Sequence, residues 1–528
     1  MARISLPAAS LSRIDFGAPS AERDIERGLG EYFVESEAYE RVRSGAKRIV
    51  LGSRGIGKSA IFQVVARRER DAGSFVIELS PEDYSYELLS QTMTSESGGS
   101  WAKLGAYAVA WKYLIYVLIM KEIAHKRSSV YKGAGTEIYK YIRDNHSHQQ
   151  ASKLSALVSY LKRLEGIKLG KYEATIRTRE LERLYKLEEI HALVPSLREI
   201  ARHKRIIVLV DELDRGWDSS EDARAFVAGL FQACISVNTV HPNLRVYMSL
   251  RQELYDDIPE LYDDAQKYRD LIENVRWSEA SLLKLIANRI RHSIGALAGS
   301  DDRTAWESLF PKLPGPGDTS SFRFMIDRTL YRPREIIQFC TQSAEQGRDH
   351  GGRVPLRYSA VKEAEVIYST ERARDIAAEF RFQYPGLLNV FDAFRGKATG
   401  RLSRDDLEFV CLELVTREIP SRDTESWLDG CTPDGLIDIL WSVGFLLAEG
   451  TRASGRRRAD AETFLGVHQV PHLNIAAART FRVHPMFRAH LGSADGAGRA
   501  SAGGAARPAS RPAVPAPPAD LSEWRRRR

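Results

Sequence analysis

Residues Gly52-Ser53-Arg54-Gly55-Ile56-Gly57-Lys58-Ser59 carry three glycines, a lysine and a hydroxyl at the spacing G-x-x-x-x-G-K-[ST]. A short apolar segment, Arg48 to Leu51, runs into this string, and a helical pattern leaves it from Lys58 through Ala60 to about Arg70. No other feature constrains the fold so tightly. A glycine-rich turn between strand and helix can wrap its N–H groups around a phosphate, while the helix aims its positive N-terminus at the same charge. The string therefore predicts a phosphate-binding loop, with Lys58 neutralising the β and γ oxygens of ATP and the Ser59 hydroxyl ligating Mg2+.

A phosphate loop of this kind needs a carboxylate for the metal. Ile206 to Val210 is five consecutive aliphatic residues, the mark of a central parallel strand buried on both faces, and Asp211-Glu212 follows directly. A carboxylate at that strand end is expected to reach the Mg2+ held at the loop of a neighbouring strand, which assigns Asp211 to the metal. Glu212, next in line, is the group expected to polarise an attacking water. Asp214 and Arg215 either shape the same site or cap the next helix.

Three stretches place arginine where a γ-phosphate could be sensed, since a planar, permanently charged fork binds phosphate oxygens in two places. Arg251 closes a predicted fourth strand, Arg269 precedes a predicted fifth strand over Leu271 to Trp277, and Arg332 and Arg334 flank Pro333 at the start of a helix. Each would otherwise be an ordinary surface ion pair.

The order of elements predicts an α/β chain: a P-loop NTPase parallel sheet with a helical insertion, a helical lid and a C-terminal winged-helix-like domain. The expected bounds are a polar lead-in over 1–44, the ATPase core over 45–278 with the insertion at about 85–200, and the lid over 279–350. A winged-helix-like region follows over 354–492, then a disordered basic tail over 493–528. Ala21, Ile25, Leu29 and Phe33 predict one helix before the core, Glu180 to Ala201 predicts another, and Ile167 to Ile176 a hairpin.

Composition adds exclusions. The formal charge is +7, but the tail from Ser493 holds seven arginines against three carboxylates, so the body is nearly balanced and does not demand nucleic acid. Cys234, Cys340, Cys411 and Cys431 are too scattered for a metal knuckle, and His146 and His148 lack a second ligand pair. Leu104 to Met120 is apolar but short of a full span and interrupted by Lys112, which predicts a buried helix. With no signal-peptide pattern at the N-terminus, a cytoplasmic protein is expected. Arg452, Arg456, Arg457 and Arg458 fall between two predicted strands, at the position of a wing that could contact a phosphate backbone; a solvated hairpin tip is the alternative.

With these residues in view, Arg48 to Thr341 resembles the AAA+ and STAND branches of P-loop ATPases. Asp211-Glu212-Leu213-Asp214-Arg215 is similar to the acidic string of the KAP group, Arg251 to the STAND sensor, Arg269 in position to an AAA+ arginine finger, and Arg334 to the second sensor of the lid. The lead-in, the helices around Trp111-Lys112-Tyr113 and His484-Pro485-Met486-Phe487 resemble a little-studied family of bacterial P-loop ATPases. That resemblance implies an ATP-driven, Mg2+-dependent switch acting through homo-oligomerisation or a partner effector protein, in a setting such as defence against phage. The competing expectations are a DNA-associated ATPase that reads DNA with its winged helix, and a nucleotide-binding scaffold that hydrolyses little.

Overall fold

The computed structural model describes residues 10–79, 100–126, 133–146, 187–213, 217, 220–261, 268–312, 321–397, 400–416, 426–450 and 464–492. The expected hairpin at 167–176, Asp214, Arg215, His148, Arg452, Arg456 to Arg458 and the basic tail lie outside them.

Strands β1 (Ile49–Leu51), β2 (Phe75–Leu79), β3 (Ile206–Val210), β4 (Leu244–Leu250) and β5 (Ile272–Asn274) form a parallel sheet in the order β2-β3-β4-β1-β5. Alternation divides their side chains cleanly between two layers. Val208, Val210, Val246 and Met248 meet the helices Ser100–His125 and Glu221–Asn238, whereas Ile207, Leu209 and Tyr247 meet Glu37–Ser44 and Lys58–Asp71. β3 is buried at all five positions because both its faces are covered.

Ser100–His125 is an interior helix, as expected from its pattern: Trp111 Nε1 donates to the Phe226 carbonyl at 3.2 Å. Its crossing with Glu221–Asn238 is so close that a Cβ on Gly229 would lie 2.7 Å from Tyr107 Cβ. Among the described residues, no helix is long and apolar enough to cross a membrane.

Several expected elements differ. The single helix through Ala21 and Phe33 is broken into Ala21–Glu26 and Leu29–Tyr32, because Gly28 adopts a left-handed φ of +99°. The segment before it is more than a polar lead-in: Leu11, Ile14 and Phe16 are buried against the lid helices. Buried Asp24 anchors it, accepting from Ala18 N at 2.7 Å and Tyr32 Oη at 2.8 Å while pairing with Arg289 at 3.1 Å. The helix expected over Glu180 to Ala201 is split, in its described part, into Leu187–His191 and Val194–His203; Pro195, lacking an N–H, opens the second piece. β5 stops at Asn274, short of the expected Trp277.

Beyond β5 the helices Glu279–Ser293, Asp302–Leu309, Ser321–Ile326, Pro333–Asp349 and Tyr358–Glu379 follow one another. Helices Arg404–Val415 and Pro433–Ser442 then accompany an antiparallel sheet of β6 (Leu402–Ser403), β7 (Leu446–Glu449), β8 (Phe464–Leu465) and β9 (Thr480–Val483), ordered β6-β9-β7-β8. One hydrophobic cluster runs from Phe16 through Ile286, Phe339 and Tyr368 to Phe391, Phe445 and Phe487, so lid and C-terminal region share a core. Cys234, Cys340 and Cys411 are buried and Cys431 is half-buried; all four are free thiols.

His468, stacked on Tyr331 of the lid at 5.0 Å, has both ring nitrogens buried. Burial, reinforced by Arg332, lowers its pKa to about 4. An unfolded chain takes the proton near its ordinary value, so this contribution to stability is lost as pH falls from about 6.5 to 4, up to roughly 3 kcal/mol. His468→Phe, which keeps the stack, should therefore lose less thermal stability between neutral pH and pH about 5 than the parent chain. Equal losses in melting temperature would remove His468 as the cause.

Candidate functional site

The loop between β1 and the helix Lys58–Asp71 takes three positive φ angles, +154° at Gly52, +79° at Gly55 and +102° at Gly57, the conformations that a tight glycine-rich turn requires. Lys58 Nζ lies across the loop and donates to the carbonyls of Gly52 at 2.6 Å and Ser53 at 3.2 Å. Two outside supports hold the turn: Trp277 Nε1 donates to the Ile56 carbonyl at 2.8 Å and Arg334 N to the Gly55 carbonyl at 3.3 Å.

Sheet order corrects one expectation. The Asp211 strand is not next to the loop strand; β4 lies between them. Register then decides what fills the gap. Leu51 pairs with Leu250, and Val210 with Met248, so Gly52 is level with Arg251 and Asp211 with Ser249. Ser249 Oγ accordingly donates to Asp211 Oδ1, and Glu212 N donates to the same oxygen at 2.8 Å. Glu212 itself has φ +55°, a left-handed conformation rare for a non-glycine residue and typically retained where a side chain must be aimed.

A cleft of about 350 Å³ opens over this arrangement. It is lined by Arg54, Gly55, Gly57, Lys58, Ser59 and Ala60 from the loop and its helix, by Asp211, Glu212 and Arg251 from the strand ends, and by Arg334 from the lid. Gly52, Ser53 and Ile56 line a second cavity instead. Arg251 follows β4 at the start of the helix Gln252–Asp256 rather than ending the strand. Arg269 is not part of the cleft: it is exposed, on a single turn, Arg269–Leu271, ahead of β5. Arg332 is buried and held by Glu379 at 2.9 Å.

Ser249, Trp277 and the N-terminal segment were not singled out from sequence. A lone hydroxyl in the otherwise apolar end of β4 is the only signal for the first; the second has none. The third wall of the cleft, Pro19, Ser20, Tyr32 and Phe33, arises because Asp24 and Arg289 fold that segment back onto the lid.

The residues fit a magnesium polyphosphate. The lining of the cleft holds five cations (Arg54, Lys58, Arg251, Arg289 and Arg334) and four carboxylates (Glu22, Asp24, Asp211 and Glu212); with Arg289 and Asp24 paired to each other, Arg54, Lys58, Arg251 and Arg334 remain for an anion, and Asp211 with the Ser59 hydroxyl for one divalent metal. Among the described residues Arg334 makes no side-chain ion pair, and burial together with Arg54 and Arg372 lowers its pKa, so an incoming anion would relieve the repulsion.

A family model described as the FunZ-associated C-terminal helical domain matches residues 280–377, the run of helices that begins at Glu279 and ends in Tyr358–Glu379. The chain is 23% identical over 445 residues to the putative transposon gamma-delta 80.3 kDa protein of Escherichia coli (strain K12). That alignment covers 82% of this chain and 61% of the curated relative, so the chain spans about three fifths of the relative's length. Solved structures similar to this chain include Aeropyrum pernix ORC2 in its ADPNP-ADP complexes, with 12% identity, TM-score 0.36, and coverage of 89% of this chain and 91% of that one. Drosophila ORC bound to DNA aligns at 12% identity and TM-score 0.30 over 93% and 95% of the two chains. Cdc6p from Pyrobaculum aerophilum aligns at 11% identity and TM-score 0.23 over 85% and 93%. At such scores the P-loop α/β assignment rests on this chain's own strand order and loop geometry.

Proposed function

We propose that the chain binds Mg-ATP in this cleft, hydrolyses it, and uses the nucleotide state to control assembly or a partner effector. The observation that carries the reading is one cleft gathering Lys58, Ser59, Asp211, Glu212, Arg251 and Arg334 from four separate stretches of sequence. Bound Mg2+ would neutralise charge on the β and γ oxygens. Ser59 and Asp211 would hold it, with Ser249 and Glu212 N orienting the Asp211 carboxylate. Lys58 exchanges its two carbonyl partners for phosphate oxygens, Arg251 and Arg334 take the γ end, and Glu212 orients and deprotonates the attacking water. The direct test is phosphate release from Mg-ATP by the intact protein; no release above background, with and without Mg2+, would overturn hydrolysis.

Assembly is read from Arg269, exposed at the end of the sheet and away from its own cleft. A guanidinium so placed can reach the γ-phosphate of a neighbouring copy, gaining paired charged hydrogen bonds that vanish once phosphate leaves. ATP with the Glu212→Gln variant is expected to give larger species by light scattering, and ADP to dissolve them. Arg269→Ala should reduce assembly and turnover while leaving ATP affinity nearly unchanged. A single mass with ATP, with ADP and without nucleotide would rule this out.

A second reading, contact with DNA, has one specific support. β7 and β8 are antiparallel neighbours, and the connection between them carries Arg452, Arg456, Arg457 and Arg458 in a region of winged-helix-like order. If these arginines meet a phosphate backbone, replacing Arg456 to Arg458 should weaken DNA binding and flatten its salt dependence. Absence of DNA retention by the intact protein at low salt with ATP would remove this reading. An antiviral setting rests on the family resemblance alone.

A further inference from the structure

The second cavity, of about 800 Å³, adjoins the phosphate loop, and Gly52, Ser53 and Ile56 belong to its wall. Of the residues lining it, Trp277 alone also lines the nucleotide cleft. Trp277 is half-buried, just beyond the end of β5 and immediately before Ser278, which caps the lid helix Glu279–Ser293. Its side chain packs against two hydrophobic clusters at once. One is shared by the lid and the C-terminal region, and the other surrounds the helix Lys58–Asp71.

The two outside ties of the loop share an origin. Trp277 Nε1 donates to the Ile56 carbonyl at 2.8 Å, and Arg334 N, in the first turn of the lid helix Pro333–Asp349, donates to the Gly55 carbonyl at 3.3 Å. Two successive carbonyls of the loop are therefore held from the N-terminal ends of two lid helices. A trans peptide is planar and sends its carbonyl and the next N–H in opposite directions. Holding the Ile56 carbonyl thus fixes the direction of the Gly57 N–H, and holding the Gly55 carbonyl fixes that of Ile56. Gly57 lines the cleft and Ile56 the second cavity, so the amide between them lies at the boundary of the two. The fit is close: a Cβ on Gly57 would stand 3.9 Å from Trp277 Cζ2, and one on Gly55 would stand 3.1 Å from Arg334 Cβ. Of the two ties, the one from Trp277 comes from a side chain, so a substitution can remove it.

We propose that Trp277 is a positioning residue through which the lid sets the phosphate loop. It holds the Ile56–Gly57 amide in the orientation that a polyphosphate needs, and it moves with the lid helix that it precedes. The inference rests on the nucleotide reading above and adds regulation of that site by the lid. An amide free to rotate presents its N–H for only part of the time, and apparent affinity falls by that fraction. The worth of one neutral hydrogen bond caps the effect at about tenfold. The C-terminal region shares the core of the lid, so a displacement there would loosen the tie and weaken the hold on phosphate. By reciprocity, a bound phosphate that engages the Gly57 N–H favours the lid position in which the tie is made.

Calorimetry of Mg-ATP binding to the full chain tests this with two single variants and their combination. Trp277→Phe keeps a ring in the same space and removes the N–H donor. Its affinity should fall about three- to tenfold, with a melting temperature near that of the parent. Ser278→Ala removes the hydroxyl that accepts from Ser281 N at 3.1 Å and frays the start of the lid helix, while Ser278 lines neither the cleft nor the second cavity. It should lower affinity about twofold or more in the parent background and no further in Trp277→Phe, because both changes act through one tie. Two merely structural defects would instead give losses that multiply. If Trp277→Phe folds poorly, Ser278→Ala alone decides. Undiminished affinity in either single variant, or losses that multiply in the combination, would overturn the role of Trp277 and leave the nucleotide reading intact; no ATP binding by the parent chain would overturn both.

Discussion

Lys58→Ala is expected to abolish Mg-ATP binding while leaving the fold in place. The ammonium group donates to the carbonyls of Gly52 and Ser53, and Lys58 lines the cleft and stands outside the three apolar clusters. Removing it uncovers two carbonyls that water can reach, a small cost to stability. For a ligand, the same change deletes charge-assisted hydrogen bonds worth about 1.5–3 kcal/mol each, so affinity should fall by roughly 10²–10³-fold or more. Calorimetry on a variant whose melting temperature is near that of the parent decides the matter: undiminished affinity would eliminate this loop as the phosphate site.

Glu212→Gln should separate binding from chemistry. Glutamine keeps the size of the side chain and its backbone preference at φ +55°, so the cleft and the Glu212 N to Asp211 bond persist. What disappears is the ability to accept a proton from water. Turnover is expected to fall by about 10²-fold or more with ATP affinity retained, the scale of general-base effects. Trapped ATP and little phosphate release is the expected pair of results; parental phosphate release would remove Glu212 from the mechanism and return the role to another group.

Much of the core was legible locally. A strand buried on both faces shows itself as an unbroken aliphatic run, as in Ile206 to Val210, and a phosphate loop as glycines at fixed offsets, because both patterns follow from constraints spanning a few residues. The helix Lys58–Asp71 was readable to within one residue from the loop that launches it. Elements with weak local signals were not: β6 has two residues, and the N-terminal helix breaks at a glycine whose left-handed conformation interrupts an otherwise regular pattern. Leu11, Ile14 and Phe16 belong to no period long enough to be read, and become core only because Asp24 and Arg289 fold their segment onto the lid.

The sequence by itself therefore determined which groups can do chemistry: a loop that must turn its N–H groups inward, a lysine and a hydroxyl at its exit, and two carboxylates at a strand end. Only the tertiary structure decided how they meet. Strand order inserted β4 between loop and carboxylates, register set Ser249 beside Asp211 and Arg251 beside Gly52, and the lid brought Arg334 to the cleft but Arg332 to its far side. The physical reason is range. Loop dihedrals and strand burial are fixed by neighbours in the chain, whereas strand order, register and the burial of a charge such as Arg332 depend on segments far apart in sequence, whose pairing is selected by the packing energy of the whole fold.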